Sequence, residues 1–275
     1  MPGPFEGAPV TKWLLIINVA ILFLQVLMTN PGERVFLQQF GHFSIQEAIY
    51  KFQFWRFFTF QFLHADFAHL IMNGVGLFFF GPHIERWMAS RVYLVFYLLC
   101  GVAGALFYAL LFFTPGILTG YHPAIPMVGA SAGLFGILVA FFVAPEARVL
   151  LFFVIPIKIR TLAIGYFIYV ASSVVFNWHN AGGSAGHLGG ALFGLLVLKW
   201  PPLKYAVVKL SQIGEPGASP QKKKTRDAQI IREEEHSPLE LSKEVDRILD
   251  KISEDGIQSL TPKEKETLNK ARRNK

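Results

Sequence analysis

The sequence predicts an all-α fold, a polytopic membrane protein whose six transmembrane helices form a bundle carrying a soluble helical tail. Three observations lead there. Of 275 residues, 52% are hydrophobic and 15% aromatic, with 27 Phe, more apolar than a soluble domain of this size. The apolar residues gather in six runs, near 12–29, 63–81, 91–113, 131–144, 159–177 and 185–200, each of which hydropathy marks as a span. Charge is segregated: from Pro202 onward there are 16 Lys and Arg and 13 Asp and Glu, against 10 and 6 in residues 1–201. The chain divides accordingly into a membrane core at 1–201, a polar linker at 202–238 and a small helical hairpin at 239–275.

The first run has only Lys12 before it and no small-x-small cleavage site after it, so it is read as a retained span and not a signal peptide. The second carries unusual polarity, with His64, Asp66, His69 and Asn73. The third contains Cys100, the single cysteine, which excludes an intramolecular disulfide and a thiolate metal site. The fourth, with about 14 residues, is too short to cross a hydrocarbon core about 30 Å thick. Residues 114–129 before it hold Pro115, Gly116, Gly120, Pro123 and Pro126, cannot form a regular helix, and must descend to meet Ser131. Irregular backbone at such depth is tolerated where protein encloses it or a wet cavity adjoins it. The fifth run looks longer, but Pro156, Lys158 and Arg160 interrupt it, which makes Leu150–Ile157 an interfacial loop. The sixth opens on Ala185-Gly186-His187-Leu188-Gly189-Gly190.

Basic residues set the orientation. Lys12, Arg86, Arg91, Arg148, Lys158, Arg160 and Lys199 fall on one side with the tail's Lys222, Lys223 and Lys224, whereas the loops at 114–128 and 178–184 carry no charge. The other side has Arg34, Lys51 and Arg56 in one long loop. Both termini are expected on the cytoplasmic side of a multi-pass protein of a bacterial inner membrane. In the tail, Val245, Ile248, Leu249 and Ile252 recur at helical spacing. Thr261-Pro262-Lys263-Glu264 places a capping threonine, a first-turn proline and a third-position glutamate before a second short helix.

Polar groups inside hydrocarbon are costly and are usually there for a function. At about 1.5 Å per residue, Ser131 lies roughly 20 Å from the cytoplasmic end of its run, His187 roughly 18 Å and His69 roughly 20 Å, with Asn73 one turn deeper. Each alone has a plain explanation: Gly129, Gly133 and Gly136 with Ser131, or Gly190 with Gly194, are small residues suited to close helix packing. A serine, two histidines and an asparagine at one depth on three helices are harder to obtain from packing. Ser131 at a helix N-terminus sits where amide groups and the dipole favour negative charge, and His187 in a largely apolar setting can accept its proton. No acidic residue lies at that depth on a span, so a Ser-His dyad is expected, with the imidazole oriented by packing on Phe135. Asp66, His83, His122 and His179 fall at interfaces or in loops.

On these residues the chain resembles the rhomboid family of intramembrane serine proteases, over most of residues 12–200. The resemblance rests on Trp55-Arg56, His64 with His69 and Asn73, Glu85-Arg86, Gly129-Ala130-Ser131, and Ala185-Gly186-His187 followed by Gly190 and Gly194. It implies a six-helix rhomboid-like bundle with Ser131 as nucleophile, His187 as general base, and an oxyanion hole of His69, Asn73 and the Ser131 amide. His64 and Arg56 become structural supports of the first loop. Two positions depart from the family pattern: Ala132 stands where the family usually has Gly, and Phe135 where it often has Tyr, keeping the stacking face without the hydroxyl. The resemblance further implies cleavage in or near the transmembrane segment of single-span or other membrane proteins. Such substrates have a destabilised helix top and a small residue before the cut, and they reach the site near the fifth span past Phe176 and Trp178. The partners expected are these substrates and the lipid bilayer, not nucleic acid; no cofactor is expected, and the sequence points to no partner for the tail.

Two rivals differ in class. A catalytically inactive relative that only binds membrane proteins has no need to keep both Ser131 and His187. A metal-dependent hydrolase or transporter built on His64, Asp66, His69 and His187 lacks HExxH and a second intramembrane carboxylate. A serine-directed fluorophosphonate separates the serine protease from both.

Overall fold

The computed structural model describes residues 3–28, 36–142, 148–151, 155–178, 180–213, 238–261, 264, 265, 267 and 268. The chain forms two compact units, Met1–Ile213 and Gly214–Lys275.

The first unit begins with α1 (Pro9–Leu27), whose first turn holds a proline, where a missing N–H costs nothing. A buried carboxylate receives that helix end: Glu85, fully enclosed, accepts from the Val10 and Thr11 amides at 2.8 and 2.7 Å and from the Ser90 hydroxyl at 2.6 Å. The free amides and dipole of a helix N-terminus thereby neutralise an acid in place of a basic partner. The long first loop follows, with α2 (Phe36–Gly41), a π turn (Ile45–Tyr50), α3 (Arg56–Thr59) and a 3-10 turn (Phe60–Phe62). Asp66 then caps α4 (Phe67–Met88) by accepting from the His69 amide at 2.8 Å. This helix starts later and runs further than the expected 63–81, because the cap fixes its first turn and Ala89, at φ 65°, ends it. The helices α5 (Ser90–Phe113) and α6 (Ser131–Phe142) complete this half.

Between α6 and α7 the otherwise helical fold holds one short hairpin. Instead of the expected interfacial loop, Arg148–Leu151 (β1) and Ile155–Lys158 (β2) pair antiparallel, Arg148 opposite Lys158 and Leu150 opposite Pro156. Both strands of a two-stranded ribbon are edges, so Pro156 is tolerated. Next come α7 (Ile159–Val175), α8 (Ala181–Lys199) and α9 (Pro201–Ser211). The last of these begins inside the stretch expected to be linker from 202. It folds because it has an apolar side to bury, with Val207 only 2% exposed where α9 packs on α5 and α8.

Among the described residues, α1, α4, α5 and α8 are long and apolar enough to cross a membrane, while α6 and α7 have 12 and 17 residues. The surface is inverted relative to a soluble protein: Phe23, Leu27, Met72 and Ile168 point outward, whereas Thr11, Asn18, Gln25 and Gln61 are buried. The centre is a backbone-to-backbone contact of α5, α6 and α8. A Cβ on Gly190 would overlap the Ala132 carbonyl, and one on Gly104 would stand 2.6 Å from the Gly186 carbonyl oxygen. Only glycine admits such approach, and it brings the start of α6 against α8.

In the second unit α10 (Pro238–Asp255) is followed by Gly256, at φ 79°, and a 3-10 turn (Ile257–Ser259). Of the apolar stripe, Ile248 is buried, Val245 and Ile252 are half-buried and Leu249 is exposed. The Glu264 carboxylate accepts from the Thr261 amide and hydroxyl, both at 2.8 Å, and the Glu264 amide donates to the same hydroxyl at 3.3 Å. This is the reciprocal capping box that the Thr261 to Glu264 spacing suggests.

Candidate active site

Ser131 is the first residue of α6, and its Oγ lies 2.7 Å from Nε2 of His187 on α8. His187 stands nearly two turns inside its helix and not at its start, because the small residues Ala181 to Ser184 are already helical. The Phe135 ring, one turn beyond Ser131, stacks on the imidazole at 4.5 Å and 15°. Both side chains open into a cavity of about 730 Å³, which Asp66, His69, Gly129 and Trp178 also line. Asp66 is the one carboxylate on the wall among the described residues, and it is engaged in capping α4.

The strand before Ser131 is held from the first loop. Met127 and Phe43 exchange backbone hydrogen bonds of 2.7 and 3.0 Å, and the Gly129 amide donates to the Phe60 carbonyl at 2.9 Å. Gly129 has φ +127°, and a Cβ there would stand 2.8 Å from Cε1 and Nε2 of His69. Glycine is therefore required twice over, by dihedral and by space. His69 Nδ1 accepts from the Ala65 amide at 3.4 Å, which assigns the ring proton to Nε2, on the side facing Gly129.

Asn73, one turn along α4, is 5% exposed, and its Nδ2 has no hydrogen-bond partner among the described residues. It is not among the side chains lining the cavity. A buried amide donor left unpaired costs about 1–3 kcal/mol. The His64 ring is fully buried, 5.2 Å from that of His69 and edge-on to it, and its nitrogens have no partner among the described residues. Its backbone is gripped instead. The Gln25 side chain on α1 donates to the His64 carbonyl at 3.0 Å and accepts from the His64 amide at 3.2 Å, while Gln38 donates to the same carbonyl at 3.1 Å.

Arg56 is 3% exposed and donates to the carbonyls of His42 and Gln39 and to the Gln53 side chain, each at 2.7 Å. Burial lowers its pKa, while the nearby Glu47 carboxylate acts the other way; a guanidinium stays charged at neutral pH regardless. Sequence reasoning missed Gln25 and also Tyr166 on α7, whose ring stacks on Phe135 at 5.0 Å. Each sits in an apolar run, where the usable signal is the lone polar atom it carries into hydrocarbon. His179 lies outside the described residues.

Residues 51–200 match the Rhomboid domain family, and residues 239–272 match a family of unknown function (DUF6576). The chain is 30% identical over 195 residues to RHOMBOID-like protein 12, mitochondrial, of Arabidopsis thaliana, covering 65% of this chain and 58% of that protein. Over 144 residues it is 31% identical to Rhomboid protein 1, mitochondrial, of Saccharomyces cerevisiae, covering 49% and 38%. Over 194 residues it is 28% identical to Rhomboid protease GluP of Bacillus subtilis, covering 69% and 34%. The matches thus span between about a third and about three fifths of these relatives' own lengths.

Proposed function

The chain belongs to the rhomboid family, and from that premise we propose that it is an intramembrane serine protease, cleaving a peptide bond in or beside the transmembrane segment of another membrane protein. The observation that carries the reading is the 2.7 Å approach of Ser131 Oγ to His187 Nε2 at the wall of an open cavity, the distance of a nucleophile from its base. Ser131 Oγ attacks the scissile carbonyl while its proton passes to Nε2, and the imidazolium then returns that proton to the departing amine. Water admitted through the cavity repeats the sequence on the acyl-enzyme. The negative oxygen formed in each step faces the N-terminus of α6, where the Ser131 amide, His69 Nε2 and Asn73 Nδ2 act as donors. No cofactor enters the reaction.

The same reading takes α1, α4, α5, α6, α7 and α8 as six spans with both termini cytoplasmic. The short α6 is completed on the outer side by the irregular segment 114–129, and substrates gain lateral access at the end of α7 beside Phe176 and Trp178, whose rings stack at 5.8 Å. His64 and Arg56 hold the first loop, and residues 239–275 recruit or regulate without joining the chemistry. A bacterial plasma membrane is the proposed setting, and the relatives include mitochondrial proteins as well. Purified full-length protein offered a panel of single-span membrane proteins should cut at least one, and the Ser131→Ala variant none. Equal cutting by both ends the proposal.

A further inference from the structure

Three rings from three helices converge on the far side of the dyad. Phe135 of α6 lies against the His187 imidazole, Tyr166 of α7 lies against Phe135 at 5.0 Å and 28°, and the Tyr166 hydroxyl stands 3.5 Å from His187 Nδ1. We propose that Tyr166 is a positioning residue for His187, its hydroxyl receiving the Nδ1–H bond and so holding the imidazole in the tautomer whose Nε2 lone pair faces Ser131. The proposal rests on the reading of His187 as general base.

A neutral imidazole has one proton and two nitrogens. To take the Ser131 proton, Nε2 must be bare, so the ring proton must reside on Nδ1, and the group that Nδ1 meets decides how much of the population does so. Serine proteases with a triad assign this duty to a buried carboxylate. Here Asp66 on the cavity wall is engaged by the His69 amide, while the group facing Nδ1 is a phenol. At 3.5 Å the contact is long, as catalytic hydrogen bonds often are before substrate binds. It strengthens when Nε2 takes the proton, because the ring then becomes a cation with Nδ1–H still to be received. Tyr166 neither gains nor loses a proton, and the Ser131 proton continues through Nε2 to the leaving amine. The ring column explains how a tyrosine on the next helix can serve: stacking on Phe135 fixes its plane and brings its hydroxyl to Nδ1.

The test compares wild type with Tyr166→Phe, which keeps the stack and deletes only the oxygen, using full-length protein in detergent micelles. Histidine labelled with 15N, with the His187 signals assigned by their loss in His187→Ala, should show a protonated Nδ1 and a bare Nε2 in wild type. In Tyr166→Phe the signals should move towards a mixture of tautomers. On a model single-span substrate kcat should fall roughly tenfold, the range of one lost hydrogen bond, with KM and melting temperature unchanged. Tyr169→Phe on the same helix should match wild type in every readout. A Tyr166→Phe protein with wild-type tautomer signals and wild-type kcat overturns the proposal. A tautomer shift in a protein that cleaves nothing would uphold the Tyr166 contact and defeat the protease reading instead, so the two failures are distinguishable.

Discussion

His69 and Asn73 lie one turn apart on α4 but stand differently towards the cavity, since His69 is on its wall and Asn73 is buried with an unpaired amide. If both donate to an oxyanion, each matters mainly in the transition state. Losing one oxyanion donor typically costs about 10²–10³-fold in turnover, and three donors share the load here. Asn73→Ala should therefore lower kcat by roughly 10- to 100-fold with KM nearly unchanged, and His69→Ala similarly, with the double variant much worse. Steady-state cleavage of one model substrate measures it; unchanged turnover with a lowered melting temperature would make both residues packing elements. At this scale Ser131, His187 and His69, which line one cavity, stand out in the sequence because each is a polar group in an apolar run with small residues around it, while the part given to Asn73 is still a proposal. Tyr166 and Gln25 do not stand out, since their partners lie on distant parts of the chain: Tyr166 on α7 meets His187 on α8, and Gln25 on α1 meets the backbone of His64 in the loop before α4.

Helix contacts set the dyad distance, and glycines set the helix contacts. A methyl group on Gly190 would meet the Ala132 carbonyl, a backbone atom that cannot rotate aside. Gly190→Ala should thus separate α8 from α6, cost about 1–3 kcal/mol as overpacking, and lower turnover with it. Gly165→Ala on α7, where a Cβ meets nothing within 4 Å, should be neutral or stabilising by up to about 1 kcal/mol. Thermal unfolding and cleavage of both variants decide, and equal behaviour would contradict this packing. The helices α1, α4, α5, α6, α7 and α8 were legible because each is a continuous apolar run, four of them, α1, α4, α5 and α8, long and apolar enough to cross a membrane. The β1–β2 hairpin was not, since Pro156, Lys158 and Arg160 read as interruptions and strand pairing depends on a partner four to ten residues away. Nor was α9, because its two prolines and its lysines resemble a linker until Val207 finds its pocket.

Over the whole molecule, the distribution of basic residues and the separate second unit carry two expectations. With Cys100→Ala as background, a cysteine at the exposed Gly120, where a Cβ meets nothing within 4 Å, should react with an impermeant thiol reagent added outside intact cells, and one at Ser219 should not. Labelling at Ser219 would reverse the orientation. In the second unit Glu264 is held down to about 2, against an ordinary 4.5, by the Thr261 amide, then by the Thr261 hydroxyl, Lys251 and Arg247. A depressed carboxylate contributes stability above its unfolded value, and that contribution drains away as pH falls from about 4.5 towards about 2. Hydrogen exchange of α10 amides in the full chain, corrected for intrinsic rates, should show protection lost across that window, and constant protection would contradict the capping box.

The central claim is that Ser131 is a nucleophile activated by His187, and it can be tested without a natural substrate. A fluorophosphonate probe should react with the purified full-length protein, and mass spectrometry should find the adduct on Ser131. Ser131→Ala should not be labelled, and His187→Ala should be labelled at a rate lower by orders of magnitude, since removing either member of such a pair removes nearly all reactivity. Labelling of Ser131 that proceeds equally fast without His187, or an adduct on another residue, would contradict the account.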